Sequence, residues 1–171
     1  LGLSMDELGA FSDQMAVTAQ KSNTSVGQLG EAILTVGGTA KQLEGGTAEL
    51  NAELGILANR GIKGAEGGTH LRNVILSLTK PTDKAAAQLE KLGVSVYDSS
   101  GNMRSMNDIM MDLNAAMDGM TAEQKQNIIS TIFNKTDLAA VTALLDGCGD
   151  EFNELIGYID DSEGAAQQMA D

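Results

Sequence analysis

The chain has 171 residues and a formal net charge of −13, with one cysteine, one histidine and no tryptophan. A lone cysteine excludes an intrachain disulfide framework, one histidine and one cysteine cannot form a zinc site, and eleven unclustered basic residues offer little to nucleic-acid phosphates. Apolar residues make up 42% but aromatic residues only 3%, a balance that favours packed helices over a β-sandwich.

Two capping patterns predict the first two helices. In Ser4–Glu7 and again in Ser25–Gln28, a serine precedes a glutamate or glutamine by three positions, which is the sequence of a capping box. The apolar residues behind each pattern fall on one helical face. These residues are Leu8, Phe11 and Met15 in the first helix and Val26, Leu29, Ile33 and Val36 in the second. The first helix is predicted to end near Lys21, and Gly37-Gly38 to end or interrupt the second.

The glycine-rich centre of the chain predicts a helix, a turn and a second helix. Gly61 lies where the first helix would stop, because glycine enters the left-handed C-cap conformation at no steric cost. Thr69 is predicted to cap the second helix with its hydroxyl, and Pro81 to end it, since proline has no backbone N–H. The apolar faces are Leu50, Leu54 and Leu57 in the first helix and Leu71, Val74, Ile75 and Leu78 in the second.

After the proline the periodicity changes. Residues 82–92 predict a short amphipathic helix that ends at Gly93. β-Forming residues follow it, and a turn sequence lies at 98–101. The β-forming residues are Val94, Val96 and Tyr97. The sequence therefore predicts a small β-hairpin near residues 94–104.

The last third of the chain predicts further helices. Ser105–Asp108 and Thr121–Gln124 are capping patterns that begin two of them, and two apolar stripes mark two more. The stripes are Leu138, Val141, Leu144 and Leu145, then Phe152, Leu155, Ile156 and Ile159. The tail that follows is rich in alanine and glutamine and is expected to enter another helix.

The fold class predicted from these elements is mainly α. We expect a compact bundle of about eight short helices with one small β-hairpin near residues 94–104. Residues 1–171 are expected to form a single helical domain, with a subdivision into halves 1–93 and 105–171 around the hairpin as the alternative. Because the chain starts at Leu1 and shows no signal peptide, we expect it to be a fragment of a longer protein.

No motif in the chain predicts catalysis. The central glycines lack the Gly-Lys-Ser/Thr of a phosphate loop, and no strand precedes them as a dinucleotide-binding motif requires. A structural role is predicted instead, since Gly64 and Gly68 lie four residues apart and would let a neighbouring backbone approach closely. His70 and Arg72 do not share a helical face, so His70 is predicted to be a surface or boundary residue rather than a general base. We predict no catalytic, cofactor-binding or metal-binding residue, and we expect the chain not to be an enzyme.

One stretch of the chain resembles a known family. The run G-I-K-G-A-E-G-G-T-H-L-R-N at 61–73, followed by K-P-T at 80–82 and L-G-V-S-V-Y-D-S-S-G-N-M-R at 92–104, resembles the core region of phage tail tape measure proteins. The residues that carry the resemblance are assigned a structural role. They are Gly61, Lys63, Gly64, Gly68, Thr69, Leu71, Arg72, Asn73, Pro81 and Gly101.

The resemblance implies a part in phage tail assembly and tail-length determination. The parent protein would set the length at which tail tube subunits stop polymerising, and this chain would be a compact domain of it. The implied partners are tail tube subunits, tail assembly chaperones, baseplate proteins or further copies of the chain. The implied location is the virion tail, with the host cytoplasm during assembly. Neither nucleic acid nor a membrane segment is expected, since no apolar run approaches the roughly 18 residues of a span.

Two other functions stay open from the sequence. A general helical protein–protein interaction domain of a secretion or surface system would have the same composition. A wall-degrading enzyme would need two carboxylates fixed in a cleft, and nothing in the sequence fixes such a pair among the 24 acidic residues.

Overall fold

A computed structural model describes residues 1–170, and over that range it contains ten α-helices and two 3₁₀ helices. The α-helices are α1 Met5–Lys21, α2 Val26–Val36, α3 Gly46–Asn59, α4 Gly64–Thr79, α5 Asp83–Leu92, α6 Met106–Ala116, α7 Ala122–Ile132, α8 Leu138–Gly147, α9 Asp150–Asp160 and α10 Ala165–Ala170. The 3₁₀ helices are η1 Gly37–Gln42 and η2 Lys135–Asp137. The predicted mainly α class is confirmed. The structure has ten α-helices rather than the expected eight, and the last, α10, lies in the tail that was expected to enter a helix.

The predicted β-hairpin is wrong, because no strand occurs within residues 1–170. The segment 94–104 is a loop with one isolated antiparallel bridge, between Tyr97 and Met103. The Asp98 carboxylate accepts a bond from the Asn102 backbone N–H at 3.0 Å, so the side chain organises the turn and pairing stops after one residue pair. The valines that suggested a strand are buried against the helical core instead.

Local caps explain most of the helix boundaries. Ser4 with Glu7 and Thr121 with Gln124 form reciprocal capping boxes at the starts of α1 and α7, as the sequence predicts. Thr69 does not cap α4, however. That helix begins five residues earlier, and the Thr69 hydroxyl donates to the Ala65 carbonyl oxygen at 3.0 Å from inside the helix. Gly64, Gly67 and Gly68, which the sequence placed in a turn, belong to α4. Packing against α2 outweighs the weak helix propensity of glycine there.

Helix α3 lies at the centre of the molecule. Every residue from Glu49 to Ala58 is buried, and the helix packs against α1, α4, α8 and α9. Helix α4 packs against α2 on one side and α8 on the other. Elements before and after the 94–104 loop therefore share one hydrophobic core.

No single helix within residues 1–170 is long and apolar enough to cross a membrane. Helix α7 and the segment 135–147 pass that test only when taken together, and they meet at an angle of 118°.

Candidate functional site

The glycine-rich segment begins α4 and packs that helix closely onto α2. A β carbon built at Gly68 would lie 2.8 Å from the Cα of Ala32, a separation that real β carbons essentially never show. At Gly64 the nearest atom to a β carbon would be a carboxylate oxygen of Glu31, at 3.1 Å. It is therefore Gly68, rather than Gly64, that faces a helix backbone.

A tight turn separates α3 from α4. Gly61 and Gly64 both have positive φ, at 82° and 64°, which glycine adopts without steric cost. Between them the Lys63 ammonium donates to the carbonyl oxygen of Asn23 at 3.4 Å, which ties the turn to the connection between α1 and α2. Gly101 lies apart from this turn, in the loop after α5.

The remaining motif residues lie along α4 and at its end. Leu71 is buried in the core, and Thr69 is exposed. Arg72 is exposed and forms no ion pair within the part of the chain that is described. Pro81 follows the end of α4. The structure thus distributes these residues among core, turn and surface rather than gathering them around a pocket.

A buried aspartate joins α4 to η2. Asp137 is 0% exposed, and its Oδ1 lies 2.8 Å from His70 Nδ1 and accepts a bond from Asn73 Nδ2 at 3.1 Å. Asn134 Nδ2 donates to the other oxygen at 3.4 Å, and the far ring nitrogen of His70 is 3.8 Å from a carboxylate oxygen of Glu66. His70 is half-buried, in agreement with its predicted boundary position. Asp137 was missed from the sequence because 67 residues separate it from His70.

A second buried acid, Glu49, joins the starts of two helices. One of its oxygens accepts a bond from the Met106 backbone N–H at 2.6 Å, and the other from the Gly45 N–H at 2.8 Å. Both N–H groups belong to helix starts, where the first turn lacks partners within the helix and the dipole favours negative charge. Burial raises the pKa of the Glu49 carboxyl, and these two hydrogen bonds counteract part of the rise.

Glu53 lies one turn further along α3 and is only 2% exposed. Burial raises the pKa of its carboxyl well above the ordinary value, and the negative charge of Glu49 adds to the rise. Glu53 is also close enough to Cys148 to raise the pKa of that thiol, although burial of the thiol is the larger cause. A thiol with a raised pKa is a poor nucleophile, which agrees with a structural role for Cys148.

The described residues contain no group of three His, Cys, Asp or Glu side chains that could hold a metal ion. The surface carries several grooves, and two of them are of similar size. One, of 500 Å³, lies between η1 and the 97–103 loop, and the other, of 530 Å³, lies between α7 and α8 beside Arg60. The groove beside the loop is lined largely by polar residues, and neither groove contains the buried acids of α3.

Comparison with known proteins gives a consistent result. The sequence model of a family described as phage-related minor tail protein matches residues 1–134, which include every motif residue named above. The tape measure protein of Pneumococcus phage Dp-1 is 31% identical over 170 residues, covering 99% of this chain and 15% of that protein. The probable tape measure protein of Escherichia phage P2 is 28% identical over 145 residues, covering 84% of this chain and 18% of that protein. No solved structure matches the chain significantly. The chain therefore spans less than a fifth of the length of these two relatives.

Proposed function

The chain belongs to the phage-related minor tail protein family, and on that premise we propose that it is a structural domain of a phage or prophage tail tape measure protein. The observation that carries the proposal is the 31% identity to the tape measure protein of phage Dp-1, which extends over 99% of the chain. The resemblance to tape measure proteins that the sequence motifs predicted is confirmed by both matches. The proposed contribution is to tail assembly and, as one domain of the parent protein, to tail-length determination.

Within such a protein, the domain would act as a compact unit rather than as part of an extended ruler. Its longest helix, α1, has 17 residues and spans only about 26 Å at 1.5 Å per residue. A continuous helix of 171 residues would span about 260 Å at the same rise. Helix α3 is buried on all sides at the centre of the domain. The domain is therefore compact, and its dimensions do not increase in proportion to the number of its residues.

The proposed role is structural, and the proposed partners are proteins. Tail tube subunits, tail assembly chaperones, baseplate proteins or further copies of the chain are the candidates, in the virion tail and in the host cytoplasm during assembly. Exposed apolar side chains support protein contacts, since Met5 on α1 and Leu34 on α2 are 84% and 85% exposed. No catalytic activity is proposed, because the buried acids serve as helix caps or lie inside the core.

The test is an in-frame deletion of the 171 codons in the phage or prophage that encodes the parent protein, followed by electron microscopy of its tails. We expect few or no complete tails, because a structural domain that contacts other tail proteins is missing, and normal length in those that form, because the compact domain does not itself set the length. Tails shorter by about 260 Å would show that the segment measures length as an extended helix. Normal numbers of normal tails would overturn the proposal. A phage carrying Gly30→Ala, at a position with open space around it, controls for the genetic manipulation.

A further inference from the structure

The central helix carries three polar side chains in its most buried part. Glu49, Asn51 and Glu53 are at most 2% exposed, but they are satisfied to different degrees. Glu49 accepts two backbone N–H bonds. The Asn51 amide nitrogen donates to the Thr47 carbonyl oxygen at 2.9 Å, while its oxygen has no partner within the described residues. The Glu53 carboxyl has neither a hydrogen bond nor an ion pair in the part of the chain described.

The groups around Glu53 do not favour a negative charge. Glu49 on the same helix repels it, and the Cys148 thiol after α8 carries no positive charge. Arg60, which directly follows α3, is engaged by Glu151 of α9 at 2.7 Å. From the η1–α3 connection and from α6, the carboxylates of Glu44 and Asp108 add negative charge around Glu49. A carboxyl in such surroundings is held as the neutral acid.

The chain beside Glu53 is packed between two helices. Asn107 of α6 accepts a bond from the Gly149 N–H at 2.8 Å, and Asn114 of α6 donates to the Leu145 carbonyl oxygen at 2.8 Å. On the other side, a β carbon at Gly147 would collide with the side chain of Ile56 in α3. We call residues 145–149, held between α3 and α6, the α8–α9 junction. Opening of this junction would give Glu53, which is 2% exposed, more contact with water.

We propose that Glu53 is a proton-dependent lock in this domain: the folded state holds Glu53 as the neutral acid, and loss of its proton loosens the α8–α9 junction. The burial, the missing partners and the packed junction carry the inference. It concerns the stability of the domain itself and does not rest on the proposed role in the tail, so either can fail alone.

The direction of the pH effect follows from linkage. The pKa of Glu53 is raised in the folded state, so folding retains a proton that the unfolded chain releases. The stabilisation is complete below the unfolded pKa, about 4.3 for glutamate, and is lost as pH rises through the folded pKa. Glu7, Asp13 and Glu151 have lowered pKa values in the folded state. Their contribution to stability is lost as pH falls, which is the opposite direction and occurs at lower pH.

The first experiment compares urea unfolding of the wild-type chain and Glu53→Gln from pH 5 to pH 8. Glutamine keeps the shape of the neutral acid but cannot lose a proton. We expect the urea midpoint of the wild type to fall as pH rises, and that of Glu53→Gln to fall less, so that the gap widens with pH. Glu90→Gln, which removes an exposed acid from α5, should follow the wild type. Parallel curves for the wild type and Glu53→Gln would overturn the proposal.

A second measurement keeps the proposal testable if Glu53→Gln fails to fold. Wild-type protein unfolded by urea at pH 6 in unbuffered solution should release protons, measured with a pH electrode. Glu49, whose pKa is also raised, contributes to the total. No net release would overturn the proposal. Where Glu53→Gln does fold, it should release fewer protons than the wild type, because it lacks one group whose pKa is raised on folding.

The lone cysteine reports opening at the junction. Cys148 is only partly buried, so its labelling by a thiol reagent is divided by the thiolate fraction measured in each protein, because Glu53 also affects the pKa of the thiol. The corrected rate should rise with pH more steeply in the wild type than in Glu53→Gln. Cys148 is the one cysteine of the chain, so the signal has a single origin. Equal pH dependence in the two proteins, with wild-type stability still falling, would place the loosening elsewhere and overturn the junction as its site.

Discussion

Gly68 of α4 lies directly against the backbone of Ala32 in α2. A β carbon at position 68 would come within 2.8 Å of both the Cα and the carbonyl carbon of Ala32. Those are main-chain atoms, so the contact cannot be relieved by turning a side chain. The two helices can approach this closely only because position 68 carries no side chain.

Gly68→Ala should therefore destabilise the domain, although alanine is the better helix former. The clash is expected to cost about 1–3 kcal/mol, less roughly 1 kcal/mol gained in helix propensity. Urea denaturation measures the difference. Gly30→Ala in α2 is the matched control, because nothing lies within 4 Å of the position that its β carbon would take, and it should be neutral or stabilising. Equal stability of the two variants would contradict this expectation, because it would mean that α2 and α4 can move apart to accommodate the methyl group at no cost in free energy.

Glu49→Ala should weaken the starts of α3 and α6 together. The Gly45 and Met106 N–H groups lose their acceptor. The buried Met106 N–H then costs about 1–3 kcal/mol, whereas Gly45 is exposed and its N–H can bond to water. Glu49→Gln keeps one acceptor oxygen and should cost less. Hydrogen exchange of the Met106 amide, measured by NMR, distinguishes a local weakening at the start of α6 from destabilisation of the whole domain. Unchanged Met106 protection in Glu49→Ala would show that the carboxylate does not hold α6.

Local chemistry explains what the sequence predicted correctly. The capping boxes at Ser4 and Thr121, the stop at Gly61 and the stop before Pro81 depend on residues within one turn of the helix end. Such signals are complete in the sequence. Thr69 is an exception: packing against α2 starts α4 six residues earlier than a cap at Thr69 would.

Features that depend on distant segments could not be predicted. Glu49 and Glu53 flank the leucine stripe of α3, where acidic residues usually mark a solvent-exposed boundary. They are buried because segments encoded at least 50 residues later pack against α3, among them the start of α6 at Glu49 and the α8–α9 junction at Ile56. The bond between His70 and Asp137 spans 67 residues. In the segment 94–104 the alternating valines are buried, as their pattern indicated. The backbone forms only one isolated bridge, however, so the segment is a loop and not a β-hairpin.

Asp137→Ala should leave three donors without an acceptor where η2 meets α4. His70, Asn73 and Asn134 all bond to this buried carboxylate, so we expect a loss of about 2–3 kcal/mol in urea denaturation. Asp137→Asn retains one oxygen and should lie between wild type and alanine. An exposed acid, Asp118, provides the control, and its alanine variant should stay within about 0.5 kcal/mol of wild type. A neutral Asp137→Ala would contradict the assigned role.

Asp13 should make the attachment of α10 sensitive to acid. Its carboxylate accepts bonds from the Gly164 and Ala166 N–H groups at 2.9 and 3.0 Å, and these bonds hold its pKa below the ordinary value. A lowered pKa means that the stabilisation is present above the unfolded pKa, about 3.9 for aspartate, and is lost as pH falls through the folded value. The NMR signal of the Ala166 amide should therefore move toward its unfolded position on acidification, before the α3 amides change.

Two variants on α1 separate this effect from general acid unfolding. Asp13→Asn still offers one oxygen but does not titrate, so the shift of the Ala166 amide with pH should largely disappear. Asp6→Asn removes the same charge from α1 without touching α10 and should titrate like the wild type. If Asp13→Asn retained the full titration, protonation elsewhere would release α10. Because the Glu53 lock weakens as pH rises while the Asp13 contact weakens as pH falls, the two ends of the pH range should loosen different parts of the molecule.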